Sequence, residues 1–169
     1  MRPTWFRRWR LSIGIAIGLV GIALVIPPVV GALLAGSAGP ISATAVRSET
    51  APNFYASTTL GVLPGAQVGI LVPANQTRMV LVSFSAASRC TGPAGGVCEA
   101  QIFVDNAAMN PTTLAPFDNT ANNNFSAHAI TRWLRVGAGN HTVQVRRNTN
   151  SSLVQFAIDG WSLEVQLAS

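Results

Sequence analysis

From Trp161 to Leu167 the chain reads WSLEVQL, in which Trp161, Leu163, Val165 and Leu167 alternate with Ser162, Glu164 and Gln166. A period of two sends the apolar set to one face of an extended strand and the polar set to the other, a pattern that an amphipathic helix cannot carry. The same period recurs in Val80, Val82 and Phe84 within residues 78–86, in Ala100, Ile102 and Val104, and in Val143 and Val145 within 142–147. Apolar runs at 67–72, 130–136 and 153–158 add further strands. Turn chemistry separates them, notably Gly137-Ala138-Gly139-Asn140 and the polar stretch 148–152. Seven or eight short half-buried strands of this kind predict an all-β fold, an antiparallel β-sandwich or jelly roll.

A different pattern precedes the strands. Arg2, Arg7, Arg8 and Arg10 stand before a stretch without charge from Leu11 through Val46. As a helix, Leu11 to Leu34 would rise about 36 Å, enough for a hydrocarbon core of about 30 Å. Arg7, Arg8 and Arg10 flank this membrane segment on the side that stays in the cytoplasm, which exports the rest of the chain. Pro27-Pro28 interrupts the helical stretch. Small residues at Ala35-Gly36-Ser37 and Ala43-Thr44-Ala45 offer cleavage sites, so the segment is either a transmembrane anchor or a signal peptide. Its length favours the anchor, with the lipid bilayer as its partner. The organisation expected is an N-terminal hydrophobic helix over 1–36, then a linker and irregular lead-in over 37–66 with a first strand at 54–60. The β-sandwich follows over 67–169, its start movable to near 46.

The formal net charge of +5 belongs mostly to that N-terminal segment. From Val46 onward seven Arg face six Asp and Glu, a balance that gives no electrostatic footprint for nucleic acid. All eleven basic residues are Arg and there is no Lys, the usage of a GC-rich bacterial genome.

Cys90 and Cys98 flank the Gly- and Pro-containing stretch TGPAGGV. In an exported domain they are expected as a disulfide, here one pinching the base of a hairpin. A metal site needs more ligands than this pair supplies, and His128 and His141 are isolated in sequence. No G-x-S-x-G is present, and GPAGG lacks the Lys and Ser or Thr of a phosphate-binding loop, so no catalytic motif and no cofactor are expected. His128 and His141 read as surface or cap residues. Asp105, Asp118 and Asp159 read as turn formers.

Two features point to ligand contact. The stretch 106–124 is long for a loop in a compact domain and is rich in Asn, including Asn122 and Asn123. In TRWLRV, strand alternation turns Trp133 outward beside Arg135, a platform for sugar stacking or protein contact, but it also turns Arg132 inward. A bulge that buries Trp133 avoids the inward Arg and is the preferred reading. Arg132, Arg135, Arg146 and Arg147 are expected on a solvated sheet face.

The stretch LRVGAGNHTVQVRRNTNSSLVQFAIDGWSLEVQ, Leu134 to Gln166, resembles the last strands of β-sandwich domains of bacterial exported proteins, carbohydrate-binding modules among them. FSAASRC with CEAQIFVDN, Phe84 to Asn106, is similar to their central hairpin. The resemblance implies sandwich architecture and carries over no binding residue. Three function classes follow. The first is a non-catalytic, membrane-anchored interaction module of the cell envelope or surface, with an envelope protein as partner. The second is a carbohydrate-binding or adhesive module whose partner is a glycan, as a monomer or a jelly-roll oligomer. The third is a hydrolase with an unrecognised site.

Overall fold

The computed structural model describes residues 41–169. The hydrophobic segment read at 1–36, with Arg7, Arg8 and Arg10, lies outside the described residues. Ten antiparallel strands form two sheets and, among the described residues, there is no helix. Sheet A holds β1 (Ile41–Glu49), β2 (Asn53–Tyr55), β4 (Arg78–Thr91), β8 (Ser126–Val136) and β10 (Gln155–Ala168). Its order is β1-β10-β4-β8, and β2 continues the line of β1 along β10. Sheet B holds β3 (Gly61–Val72), β5 (Val97–Val104), β6 (Ala107–Ala108), β7 (Ala115–Asn119) and β9 (Gly139–Thr149). Its order is β3-β9-β5-β6, and β7 pairs with β5.

The alternation read from the sequence sets which side chains enter the core. Val80, Val82 and Phe84 of β4 and Leu163 and Val165 of β10 face Ile102, Val143, Val145 and Leu63 from the other sheet, all of them buried. Phe84 packs against Phe117 at a ring-centroid distance of 5.5 Å, and Phe117 against Phe156 at 6.0 Å. Tilted aromatic pairs at these separations are favourable beyond their buried area.

Several expectations are corrected. The described part of the expected irregular lead-in, 41–66, contains β1, β2 and the start of β3, and the strand expected at 54–60 is the short β2. Its sequence lacks apolar alternation because β1 is an edge strand, of which only Ala45 is half-buried. Of the two strands expected at 153–158 and 161–167, residues 155–158 and 161–167 belong to one strand, β10, since Asp159-Gly160 forms a bulge where a turn is expected. Gly160 has φ +55°, a conformation that costs other residues about 1 kcal/mol or more. The loop expected at 106–124 carries β6 and β7, with Met109 and Phe117 in the core.

The Cys90–Cys98 disulfide is present, with a Cα–Cα distance of 5.9 Å, but it does not close a hairpin. β4 lies in sheet A and β5 in sheet B, so the TGPAGGV connection crosses between the layers and the bond ties one sheet to the other. Replacing both cysteines by alanine should lower the unfolding free energy by about 2.5 kcal/mol, from the closure entropy of so short a loop. A urea midpoint unchanged by the double replacement would refute this role.

Candidate functional site

Strand alternation leaves sheet A with an outer face that no other element covers among the described residues. Reading across the strands by register, one row is Ser48, Ser162, Ser85 and Ala129; the next is Val46, Glu164, Ser83 and Thr131; the third is Thr44, Gln166, Leu81 and Trp133. At about 4.8 Å per strand spacing the face is some 14 Å wide. Its side chains are short and mostly polar. Ser83 and Thr131 hydroxyls lie 3.1 Å apart, Ser85 and Ser162 hydroxyls 2.9 Å, and Gln166 Nε2 donates to Glu164 Oε1 at 2.7 Å.

At one end the Gly160 bulge opens a shallow trough of about 390 Å³ across all four strands. Ser48 and Glu49 of β1, Gly160 of β10, Ser85 and Ala87 of β4 and His128 of β8 line it. Its volume falls within the usual range of about 300–1,000 Å³ for small-ligand sites. The floor is open because serine and alanine occupy positions where longer side chains would fill it. At the other end stands Trp133, 46% exposed.

Trp133 is therefore outward, and the preferred burial of this residue is corrected. Arg132 occupies the inner side and is buried, which the sequence reading treated as an obstacle. Neutral acceptors resolve it: Arg132 Nε donates to Gln101 Oε1 at 2.9 Å and Nη1 to the Thr131 carbonyl at 3.0 Å. Gln101 is itself held by the Met109 and Pro111 carbonyls. Nothing in the sequence near TRWLRV signals that Gln101, from another strand, will meet this guanidinium. Burial pushes the Arg132 pKa down.

Of the residues singled out as ligand contacts, Trp133 and Arg135 stand on this outer face, both exposed. Asn122 and Asn123 lie in the turn between β7 and β8. The expected strip of four arginines does not form. Arg132 and Arg147 are buried, Arg146 lies over the Phe103 ring at 4.4 Å on sheet B, and only Arg135 of the four is exposed. The trough residues were missed, because serine and alanine in a strand carry no signal of their own.

The carboxylates are engaged locally. Glu49 Oε1 accepts the Thr50 and Ala51 N–H groups, which hold its pKa below the ordinary value. Glu99 accepts from Asn148, and Asp118, a buried strand residue and not the expected turn former, accepts from Ser88 at 2.8 Å. His128 Nε2 meets the Ser126 hydroxyl at 2.7 Å and stands 3.7 Å from Asp118 Oδ2. The same ring nitrogen faces both groups, so a relay through the two sides of the imidazole is not formed. Among the described residues no three of His, Cys, Asp and Glu converge to hold a metal ion.

No protein-family model matches the chain, and no curated protein matches it in sequence. Three solved structures are similar to it in fold. They are dimeric latent PorU from Porphyromonas gingivalis (TM-score 0.43, 13% identity, covering 79% of this chain and 14% of that one), a family 35 carbohydrate-binding module from an environmental isolate (0.36, 12%, 75% and 86%), and the family 35 module of Cellvibrio japonicus Abf62 (0.32, 13%, 72% and 92%). Two of these are carbohydrate-binding modules. At 12–13% identity the likeness is one of all-β architecture, and no residue role is transferred across it.

Away from the outer face, one corner is held by a charged pair. His141 Nδ1 lies 2.5 Å from Asp105 Oδ2, its Nε2 lies 2.9 Å from the Gly137 carbonyl, and Asp105 Oδ1 accepts the Thr142 N–H at 2.8 Å. Acceptors at both ring nitrogens favour the doubly protonated ring. The Asp105 hydrogen bond accordingly raises the His141 pKa, while the Thr142 N–H, followed by His141, lowers that of Asp105. The raised histidine value means its stabilisation is complete below about 6.5 and is lost as pH rises through the folded value. The depressed aspartate value means its part is present above about 3.9 and is lost only on further acidification. His141→Gln should thus lower the urea midpoint clearly at about pH 5.5 and far less at about pH 9. An equal loss at both pH values would show that the ring acts by packing and not by charge.

Proposed function

We propose that this domain is a non-catalytic, exported glycan-binding module that lays its ligand on the outer face of sheet A. The observation that carries the reading is the four-strand face left uncovered among the described residues, with a trough floored by serine and alanine at one end and an exposed indole at the other. A sugar ring presents C–H groups on its flat face and hydroxyls at its rim. Trp133 offers the flat apolar surface, with an amphipathic ring suited to a partly wet site. Ser48, Ser85, Ser162, Thr131, Glu164 and Gln166 offer donors and acceptors at the spacing of the pleat. Ligand hydroxyls can join ladders that already exist between Ser83 and Thr131 and between Ser85 and Ser162. The backbone beneath is a hydrogen-bonded sheet, so little ordering is needed on binding.

The absence of catalysis in this reading rests on the acids. Five of the six carboxylates accept a hydrogen bond from their own turn, their own strand or another strand. None faces a second carboxylate across a cleft, the arrangement glycoside hydrolysis requires.

Two variants test the proposal on a panel of immobilised soluble and wall-derived polysaccharides. Trp133→Ala should weaken binding by about tenfold or more, that is by about 1.4 kcal/mol, with the fold retained because Trp133 stands on the outer face and not in the core. Ala87→Arg places a long side chain in the trough and should abolish binding while the fold persists. Wild-type binding that survives both replacements, or a wild-type domain that retains nothing from the panel, would overturn the reading.

A further inference from the structure

The two rims of sheet A differ. On the β8 side, Asn110 closes the ladder by exchanging both backbone hydrogen bonds with Trp133. On the other side β1 pairs with β10 alone; among the described residues its outer edge hydrogen-bonds to no strand, and β3 of sheet B packs beside it. Free edges are commonly blunted by Lys or Pro along the strand. Over Ile41–Glu49 neither occurs; Pro40 stands just before the strand and Pro52 beyond its end. Apolar side chains crowd this rim while exposed to solvent: Ile41 at 57%, Val46 at 64%, and Leu71 of β3 at 63%. A crevice of about 180 Å³, lined by Ala43, Ala45, Ile70, Leu71 and Val165, runs beside them.

The charges of β1 are self-complementary. Arg47 and Glu49 are its only ionised side chains and they flank Ser48. In an antiparallel pairing of two β1 strands about a two-fold axis at Ser48, Arg47 of each copy stands opposite Glu49 of the other, giving two reciprocal ion pairs on one face. The Arg47 side chain makes no hydrogen bond or ion pair with another described residue, its backbone being taken up in the ladder with β10, whereas Glu49 spends Oε1 on its turn and leaves Oε2 for a partner. We propose that the domain pairs with a second copy of this chain at the C-terminal end of β1, edge to edge over Arg47–Glu49, about a two-fold axis passing through Ser48. The contact is isologous and closes on itself, so it yields a dimer and not a fibre. It would join the outer faces of the two A sheets into one surface. The inference stands on the edge and its charges, and it does not depend on what that surface binds.

Cysteine cross-linking of the full-length chain tests it. Residues directly opposite in an antiparallel pair have Cα atoms about 4.5 or 5.5 Å apart, inside the disulfide range of about 4.4–6.8 Å. Ser48→Cys should therefore form a covalent dimer rapidly on mild oxidation, and Thr131→Cys, on the opposite rim, should not. In the Ser48→Cys background, Arg47→Glu should reduce the cross-linked fraction several-fold, and adding Glu49→Arg should restore it. If Arg47→Glu lowers the thermal midpoint, Arg47→Gln replaces it as the milder loss of the pair. Cross-linking at Ser48→Cys no faster than at Thr131→Cys, cross-linking indifferent to the charge changes, or a product whose mass is that of a different protein would each overturn the proposal.

Discussion

The antiparallel pairing of β4 with β10 is the constraint on which the other elements depend. It runs from Thr91 opposite Gln155 to Met79 opposite Ala168, and both strands alternate strictly along most of that length. One consequence is the core, since every second residue of the pair faces sheet B. Another is the outer face, since the intervening residues are delivered to solvent in the same register. β1 and β8 take their faces from this pair through their own registers. A one-residue slip between β4 and β10 would exchange the two faces, placing Glu164 and Gln166 in the core and Leu163 and Val165 in water. The Gly160 bulge is the single place where the pairing yields, and the trough opens there.

The interior between the sheets is not wholly apolar. Arg147 lies buried on β9, its guanidinium 4.3 Å from the Tyr55 ring, donating to the Val62 carbonyl at 2.7 Å and to Asn53. Arg132 does the corresponding work at the opposite rim with Gln101. In both cases the buried cation meets carbonyl oxygens and not a carboxylate, and Arg147 meets a π-face as well. Each partner comes from a distant segment, so these contacts fasten β2 and the Met109–Pro111 stretch to the sheets. A buried donor left unmade would cost more than the bond contributes, which makes these segments sensitive to the arginines.

The strands whose two faces differ in solvation were legible in the sequence. WSLEVQL and RMVLVSF report their burial directly, because one face is in the core and the other in water. The edge strand β1 was not legible, since a strand exposed on nearly every residue has no alternation to display. Asp159-Gly160 read as a turn because a left-handed glycine serves a hairpin and a bulge equally well, and only the continuous partner strand β4 decides between them. The disulfide was predicted but misplaced: spacing shows that two cysteines can meet and says nothing about whether their strands share a sheet. Trp133 and Arg135 were named as contacts from strand phase alone. The trough was invisible, for its defining property is what serine and alanine omit.

Ile41 pairs with Ala168, so the two ends of the described domain leave sheet A side by side and in opposite chain directions. That geometry governs the response to mechanical load. Tension applied between these ends pulls β1 away from β10 across the strand axis, and the ladder opens one hydrogen bond at a time from Ile41 toward Glu49. A load taken along the strands would instead have to break many of those bonds together. The domain is built to peel at low force from its terminal edge, and the Cys90–Cys98 bond, lying beyond the peeled strand, holds the remaining layers together while it does so.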